Sequence, residues 1–306
     1  MTEELVNKIN AEDRPKSKLL NNQQRKRRNE LLYRTLLLGK LDHLSEEEKQ
    51  VIKPVPMKYA HIFHDEETND FKGTDVIEHQ IVLEDTRPIR KPQYRVPYAL
   101  RDEMKNQVEK MLDKGVIQES TSPWAAPAIL VLKKSEDGKP KFRFCVDFRA
   151  LNSVTKFDTY PLPVFQETTS NLHGSKYYSV LDCYSGFWQI SIKEKHKECT
   201  GFSVPSGHYE FNKLPFGLSN SPSSFQRLMD VVLKDLVGTE CYVFIDDIII
   251  FSRSAQEHAQ RLENVLQRFD KANLQLHPGK CVFAQPKVNY LGLCYLKRKF
   301  QLRLIK

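Results

Sequence analysis

Few stretches restrict a fold as tightly as residues 241–251, C-Y-V-F-I-D-D-I-I-I-F, where Asp246 and Asp247 stand side by side inside an apolar, β-branched run. The run 243–250 has the composition of a buried strand or a tight hairpin. Two adjacent carboxylates at its centre repel each other and resist desolvation. A hard divalent cation held by oxygen ligands is one arrangement that makes such a pair favourable. A plain hairpin turn is the other, since Asp is a common turn residue. The stretch by itself leaves both open.

The chain has 306 residues, enough for one large or two ordinary domains, and 40% of them are hydrophobic, which suffices for a sizeable core. Its net charge of +8 and pI near 9.0 favour a polyanionic partner. No apolar run approaches the roughly 20 residues of a membrane span, so no membrane partner is expected; residues 31–38 come nearest and are interrupted by Tyr33, Arg34 and Thr35. Thr2-Glu3-Glu4 leads into no apolar region, so no signal peptide is expected. The six cysteines form no C-x-x-C pair, which argues against a zinc site or disulfide scaffold and for reduced thiols in an intracellular compartment. His61-x-x-His64 lacks a second pair and reads as ordinary surface histidines.

Residues 1–75 read as a polar extension or linker. Arg25–Arg28 open a helix running through Leu31, Leu32 and Leu36 to Gly39; the basic cluster is either a nucleic-acid contact or nuclear address, or a solvated face. Ser45 with Glu48 forms a capping box for a second short helix, which Pro54 and Pro56 should end. Pro88, Pro92 and Pro97 mark an extended lead-in to a helix carrying Leu100, Met104, Val108 and Met111/Leu112, stopped at Gly115. Strands over 128–132 and 142–148 form a hairpin around Glu136-Asp137-Gly138, with Lys133, Lys134, Lys139, Lys141 and Arg143 near its tip. Such a tip is either an ordinary charged surface or a grip on a triphosphate or phosphate backbone.

A strand over 177–181 ends on Asp182, which is either a catalytic acid or a helix N-cap. Phe225, Leu228, Met229, Val232, Leu233 and Leu236 repeat at helical spacing and form a core face. Ser254 with Glu257 opens a further helix through Leu262, Val265, Leu266 and Phe269, ending near Asn273, and short strands follow. This order of elements predicts an α+β sheet with helices packed on one face.

Taken together, S-P-W-A-A-P, F-R-F-C-V-D-F-R-A-L-N, S-V-L-D-C-Y-S-G-F-W-Q-I, L-P-F-G-L-S-N-S-P-S-S-F-Q-R-L-M-D, F-I-D-D and Y-L-G occur in the order of one family. The chain resembles the reverse transcriptases of gypsy-type long-terminal-repeat retrotransposons over roughly residues 76–296. The resemblance implies a right-hand polymerase fold, α+β, with an antiparallel palm sheet backed by helices. It implies fingers over 76–157 and 190–220, palm over 158–189 and 221–296, and the truncated start of the thumb connection over 297–306, with the thumb itself absent.

By the same resemblance, Asp182, Asp246 and Asp247 are the catalytic, metal-holding acids, with two Mg2+ ions as cofactors and Mn2+ as a substitute. Asp182 and Asp246 match the family's shared ligands and Asp247 its weaker third acid; geometry agrees, as neighbours in an extended segment face opposite ways. Lys134, Arg143, Phe187 and Phe216 match the nucleotide-binding residues, with Lys133 beside them. Phe187 stands at the sugar gate; its other reading is simple core. Lys280 matches a lysine placed to protonate departing pyrophosphate, and Tyr290, Leu291 and Gly292 match the start of the primer grip. The implied partners are an RNA or DNA template-primer duplex, deoxynucleoside triphosphates, and RNase H and integrase segments of a longer polyprotein. The implied setting is intracellular, in a cytoplasmic virus-like particle or the nucleus.

The family's usual Tyr of Y-x-D-D is Phe244 here, which deletes a hydroxyl near the primer terminus. With Lys306 as the last residue, the expected chain is palm and fingers only. Two other functions compete: a nucleic-acid-binding remnant without turnover, and an RNA-templated RNA polymerase, against which Phe187 speaks.

Overall fold

The computed structural model describes residues 41–64, 71, 73–133, 140–163, 172 and 174–291, together with the backbone of 293–296. The expected helix near 25–39 and the hairpin turn at 136–138 lie outside the described residues.

In chain order the labelled elements are α1 (Glu46–Ile52), α2 (Pro54–Lys58), β1 (Thr74–His79), α3 (Arg101–Asp113), β2 (Ile117–Glu119), β3 (Ala126–Lys133), β4 (Lys141–Val146), β5 (Tyr177–Asp182), β6 (Ile190–Ile192), β7 (Phe202–Val204), β8 (Gly207–Phe211), α4 (Ser221–Val232), β9 (Cys241–Phe244), β10 (Asp247–Ser252), α5 (Ala255–Lys271), β11 (Val282–Gln285), β12 (Lys287–Tyr290) and β13 (Leu293–Leu296). They fall into two units. One takes the chain up to Val76, Tyr160–Gly186, and everything from Phe225 on; the other takes Ile77–Thr159 and Phe187–Ser224.

The first unit is built on a four-stranded sheet ordered β11-β5-β10-β9, with every adjacent pair antiparallel. Ile248, Ile249 and Ile250 are all buried, so β10 is covered on both faces, which explains its unbroken apolar run. Ile249 and Phe251 join Leu172, Tyr178, Val288 and Tyr290 in one cluster, and strand alternation sends Ile248 and Ile250 to the opposite face. Helix α5 packs on β5 and β10, and its stripe Leu262, Val265, Leu266 and Phe269 has no exposed surface. Ser254 caps α5 by accepting from the Glu257 N–H, while Glu257 reaches the Arg253 N–H, one residue earlier than a full capping box would have it. Asn273, with φ 54°, ends it in the left-handed region.

A buried histidine fastens α5 to the sheet. His258 has Nε2 2.7 Å from Ser179 Oγ on β5 and Nδ1 3.0 Å from Ser252 Oγ on β10. Because the Ser252 hydroxyl donates to the Ser254 carbonyl, Nδ1 carries the proton and Nε2 accepts from Ser179. Burial in this pocket pushes His258 down to about 3.

Residues 41–64 of this unit are packed into it. Ser45 and Glu48 do form the capping box of α1, but Pro54 starts α2 at its N1 position as well as ending α1. Both helices lie against α5, and Ile52, Val55, Ile62 and Phe63 are buried.

The second unit carries a five-stranded sheet ordered β2-β8-β7-β3-β4, in which β3 and β4 form the expected hairpin and β3 runs parallel to β7. Met104, Val108 and Met111 of α3 are buried, and Gly115, φ 63°, supplies the left-handed stop.

Candidate active site

Three carboxylates meet at one end of the first unit's sheet. Asp247 opens β10 directly opposite Asp182, the last residue of β5. Opposed residues on paired strands share a face, so these two side chains are neighbours. Phe244 pairs with Asp247 across the β9–β10 hairpin, which leaves Ile245 and Asp246 as a two-residue turn. The acids therefore do not share one extended segment. Asp246 projects from the turn, and it is Asp247, rather than Asp246, that faces Asp182.

The turn is tight enough to force Ile245 to φ 56°, a region that a β-branched residue rarely enters. Gln226 of α4 meets it from below, accepting the Ile245 N–H at 2.8 Å. On the far side of the turn, the Tyr290 hydroxyl donates to the Asp247 carbonyl at 3.2 Å. Asp182 is held through its backbone, its carbonyl accepting from the His277 N–H at 2.8 Å.

The electrostatics are unbalanced. Burial raises Asp246, and the neighbouring Asp182 raises it further. Burial likewise pushes Asp247 up to about 6, with Asp246 and Asp182 adding to it. Lys280 offsets them in part: its Nζ lies 3.1 Å from both carboxylate oxygens of Asp182. Among the described residues, no three His, Cys, Asp or Glu side chains are already drawn together as a metal cage. The donor set nevertheless fits a hard divalent ion, which prefers carboxylate oxygens and whose charge would favour the ionised forms of Asp246 and Asp247 against their burial.

Comparison with known proteins gives this arrangement its relatives. The family described as reverse transcriptase (RNA-dependent DNA polymerase) matches residues 131–295. The chain is a member of the reverse transcriptase family. It is 38% identical over 254 residues to the retrovirus-related Pol polyprotein from transposon 297 of Drosophila melanogaster, covering 83% of this chain and 24% of that protein. The Pol polyprotein from transposon gypsy of the same fly is 39% identical over 215 residues, covering 70% of this chain and 21% of the relative. These relatives mark a gypsy-type reverse transcriptase, and the chain spans about a quarter or less of their length. Among solved structures, the foamy viral protease-reverse transcriptase in complex with RNA/DNA hybrid superposes with a TM-score of 0.76 at 23% identity, over 94% of this chain and 37% of that one. The same protein in complex with double-stranded DNA gives 0.78 at 23% identity, over 96% and 49%. The likeness shows a reverse transcriptase fold.

Within this reverse transcriptase chain the remaining expected site residues separate by unit. Arg143 is exposed on β4, opposite Val131. Phe187 is half-buried, and its ring centroid lies 5.0 Å from that of Phe216, which is 54% exposed. Lys133 is exposed at the end of β3, whereas Lys134 and Gly292 lie outside the described residues. Tyr290 is only 2% exposed, and its hydroxyl braces the Asp247 carbonyl. Leu291 follows it at φ 50° and is half-buried.

Two supports escaped the sequence reading. Asn152 donates to the Gly217 carbonyl at 2.8 Å and accepts from the Ser219 N–H at 3.0 Å, fixing the loop that presents Phe216. Its signal was present in F-R-A-L-N, but nothing local says which loop it serves. Gln226 lies inside a helix face already read as core, where a polar residue gives no hint of a partner nineteen positions away.

Proposed function

We propose that the chain is the polymerase segment of a retroelement polyprotein, extending a DNA primer with deoxynucleoside triphosphates on an RNA or DNA template. The observation that carries this reading is the meeting of Asp182, Asp246 and Asp247 at one strand end, two of them raised by burial and mutual repulsion. In this reading the first unit holds most of the palm and the second most of the fingers. The runs 76–157 and 190–220 are then fingers, and 158–189 and 221–296 palm. Membership of a family of Pol polyproteins supports neighbouring RNase H and integrase segments, and foamy viral relatives seen with RNA/DNA hybrid and double-stranded DNA support a template-primer duplex as partner. The cysteines among the described residues are free thiols, which suits an intracellular setting, in a virus-like particle or the nucleus.

Asp182, Asp246 and Asp247 would hold two Mg2+ ions, which favour the attacking alkoxide and stabilise charge on the leaving oxygens. The chain's own part is positioning and electrostatics, as in other phosphoryl transfers. Lys280 holds its ammonium at Asp182, where it can donate a proton to a departing pyrophosphate oxygen. Arg143, exposed on β4, would grip a triphosphate, and Lys134 would join it as the family motif implies. Phe187, braced by Phe216, excludes a ribose 2′-hydroxyl by its bulk.

Primer extension on an RNA template with Mg2+ tests the reading. The wild-type chain should incorporate deoxynucleotides, and Asp246→Asn should lose at least ~10²-fold in rate. A well-folded wild type that shifts a duplex in gels, with binding that weakens steeply as salt rises, yet incorporates nothing would replace this reading with a binding remnant.

A further inference from the structure

Asp246 owes its position to a two-residue turn whose first member, Ile245, sits at φ 56°. Such a conformation persists only where the surroundings over-determine it. We infer that Tyr160, Asp230 and Gln226 form a positioning relay that holds this turn, and with it Asp246, in the geometry the reaction needs. The inference rests on the proposed role of Asp246.

The relay is polar at every joint. The Tyr160 hydroxyl donates to Asp230 Oδ2 at 2.6 Å. Asp230 Oδ1 accepts from Gln226 Nε2 at 2.9 Å. That leaves Gln226 Oε1 to accept the Ile245 N–H at 2.8 Å. A carboxylate has no proton to give, so the face of the Gln226 amide turned to Asp230 must be its NH2. The carboxylate thereby decides which way the amide points, and the tyrosine hydroxyl keeps the carboxylate turned toward it. The Arg227 guanidinium lies 4.5 Å over the Tyr160 ring and fixes that ring in turn. Gln226 has 0% exposed surface, so water has no access to replace its oxygen at the strained N–H. None of the three side chains carries a role in the chemistry itself; each acts through the turn.

Exchanging the polarity of the relay tests it. Asp230→Asn gives the Gln226 amide a partner it can meet with either face, and Gln226→Leu removes the acceptor altogether. The double variant Gln226→Glu with Asp230→Asn restores the pattern, because a carboxylate at 226 accepts from both the Ile245 N–H and the new Asn amide. Metal-free hydrogen exchange of the peptide containing Ile245, read by mass spectrometry, should be ~10-fold faster or more in each single variant and return close to wild type in the double variant. In primer extension the single variants should lose ~10-fold in kcat at an unchanged KM for the nucleotide, with melting temperatures within a few degrees of wild type, and the double variant should recover much of the loss. Equal Ile245 exchange in wild type and both single variants, or a double variant no better than Asp230→Asn, overturns the relay. If exchange follows the expected pattern while the wild type incorporates nothing, the relay stands as the hold on the turn and the polymerase reading falls.

Discussion

Asp247 faces Asp182 directly across the β5–β10 pair, at the end of the sheet where the β9–β10 turn presents Asp246. Three acids in one place are a source of stress for the empty fold. Asp247 is raised to about 6 by burial and then by its acidic neighbours, whereas the unfolded chain holds it near 3.8. A carboxylate whose folded pKa is raised destabilises the fold above that pKa, and the penalty fades as pH falls through it. Asp247→Asn should therefore stabilise the metal-free protein at pH 8 by about 1 kcal/mol, after discounting solvent screening of a half-buried group. The same variant should lose polymerase activity. Thermal melts at pH 8, 5 and 3.5 check this: the gain should be full at pH 8, about half as large at pH 5, and gone at pH 3.5, below the unfolded value.

If Asp182 holds a metal ion as proposed, Lys280 competes with that ion for it. Its ammonium sits symmetrically on both oxygens at 3.1 Å, with the lysine side chain 58% exposed. Lys280→Ala should lower the Mg2+ concentration that half-saturates the shift in melting temperature, by a few-fold, because an exposed charge is partly screened. The rate of incorporation at saturating Mg2+ should fall, most steeply at high pH where water is a poor proton source. A variant with unchanged metal titration and unchanged rate would remove Lys280 from the site.

His258 sets an acid limit on the fold. Burial and the nearby Arg261 hold it down to about 3, against an ordinary value of 6.5. Its contribution is complete above pH 6.5 and is lost as pH falls from there toward 3, since only the unfolded chain takes up the proton in that window. Stability should drop by on the order of 1 kcal/mol per pH unit below 6.5. In His258→Gln the slope of chemical-denaturation stability against pH should flatten in this range.

Phe187 and Phe216 brace each other at 5.0 Å. Phe187→Ala should admit ribonucleotides at least ~10-fold better relative to deoxynucleotides, as the loss of a steric clash requires. Competing incorporation on one template measures the ratio. Unchanged discrimination would return Phe187 to a packing role.

How far the sequence could be read depended on the reach of each interaction. The α4 stripe from Phe225 to Leu236, the Ser45 box and the left-handed stops at Gly115 and Asn273 were legible because each is decided within a few residues. The acids were recognisable by motif, but whether Asp246 lay in a strand or a turn was not. That depends on the register of β9 against β10, and β-branched runs suit either arrangement. The motif around Tyr290 was legible, but that its ring is buried with Ile249 and Phe251 was not, because that follows from β12 packing onto that face of the sheet. The short helices α1 and α2 looked like a linker since neither has room for a long apolar stripe. Only the surface of α5 shows where Ile52 and Val55 go.

Strand β5 lies inside its sheet, with β10 on one edge and β11 on the other. Both partners are made long after it during synthesis, and β11 follows the whole of α5. A nascent chain that ends anywhere before Gln285 thus carries Asp182 on a strand with an open edge, and the Ala284 N–H that caps Ser179 is still missing. Such non-local pairing is slow to form, and the edge stays open to association with other chains until β11 arrives. The inner strand that carries Asp182 therefore gains its second neighbour, and Ser179 its backbone partner, only once residues 282–285 have been translated.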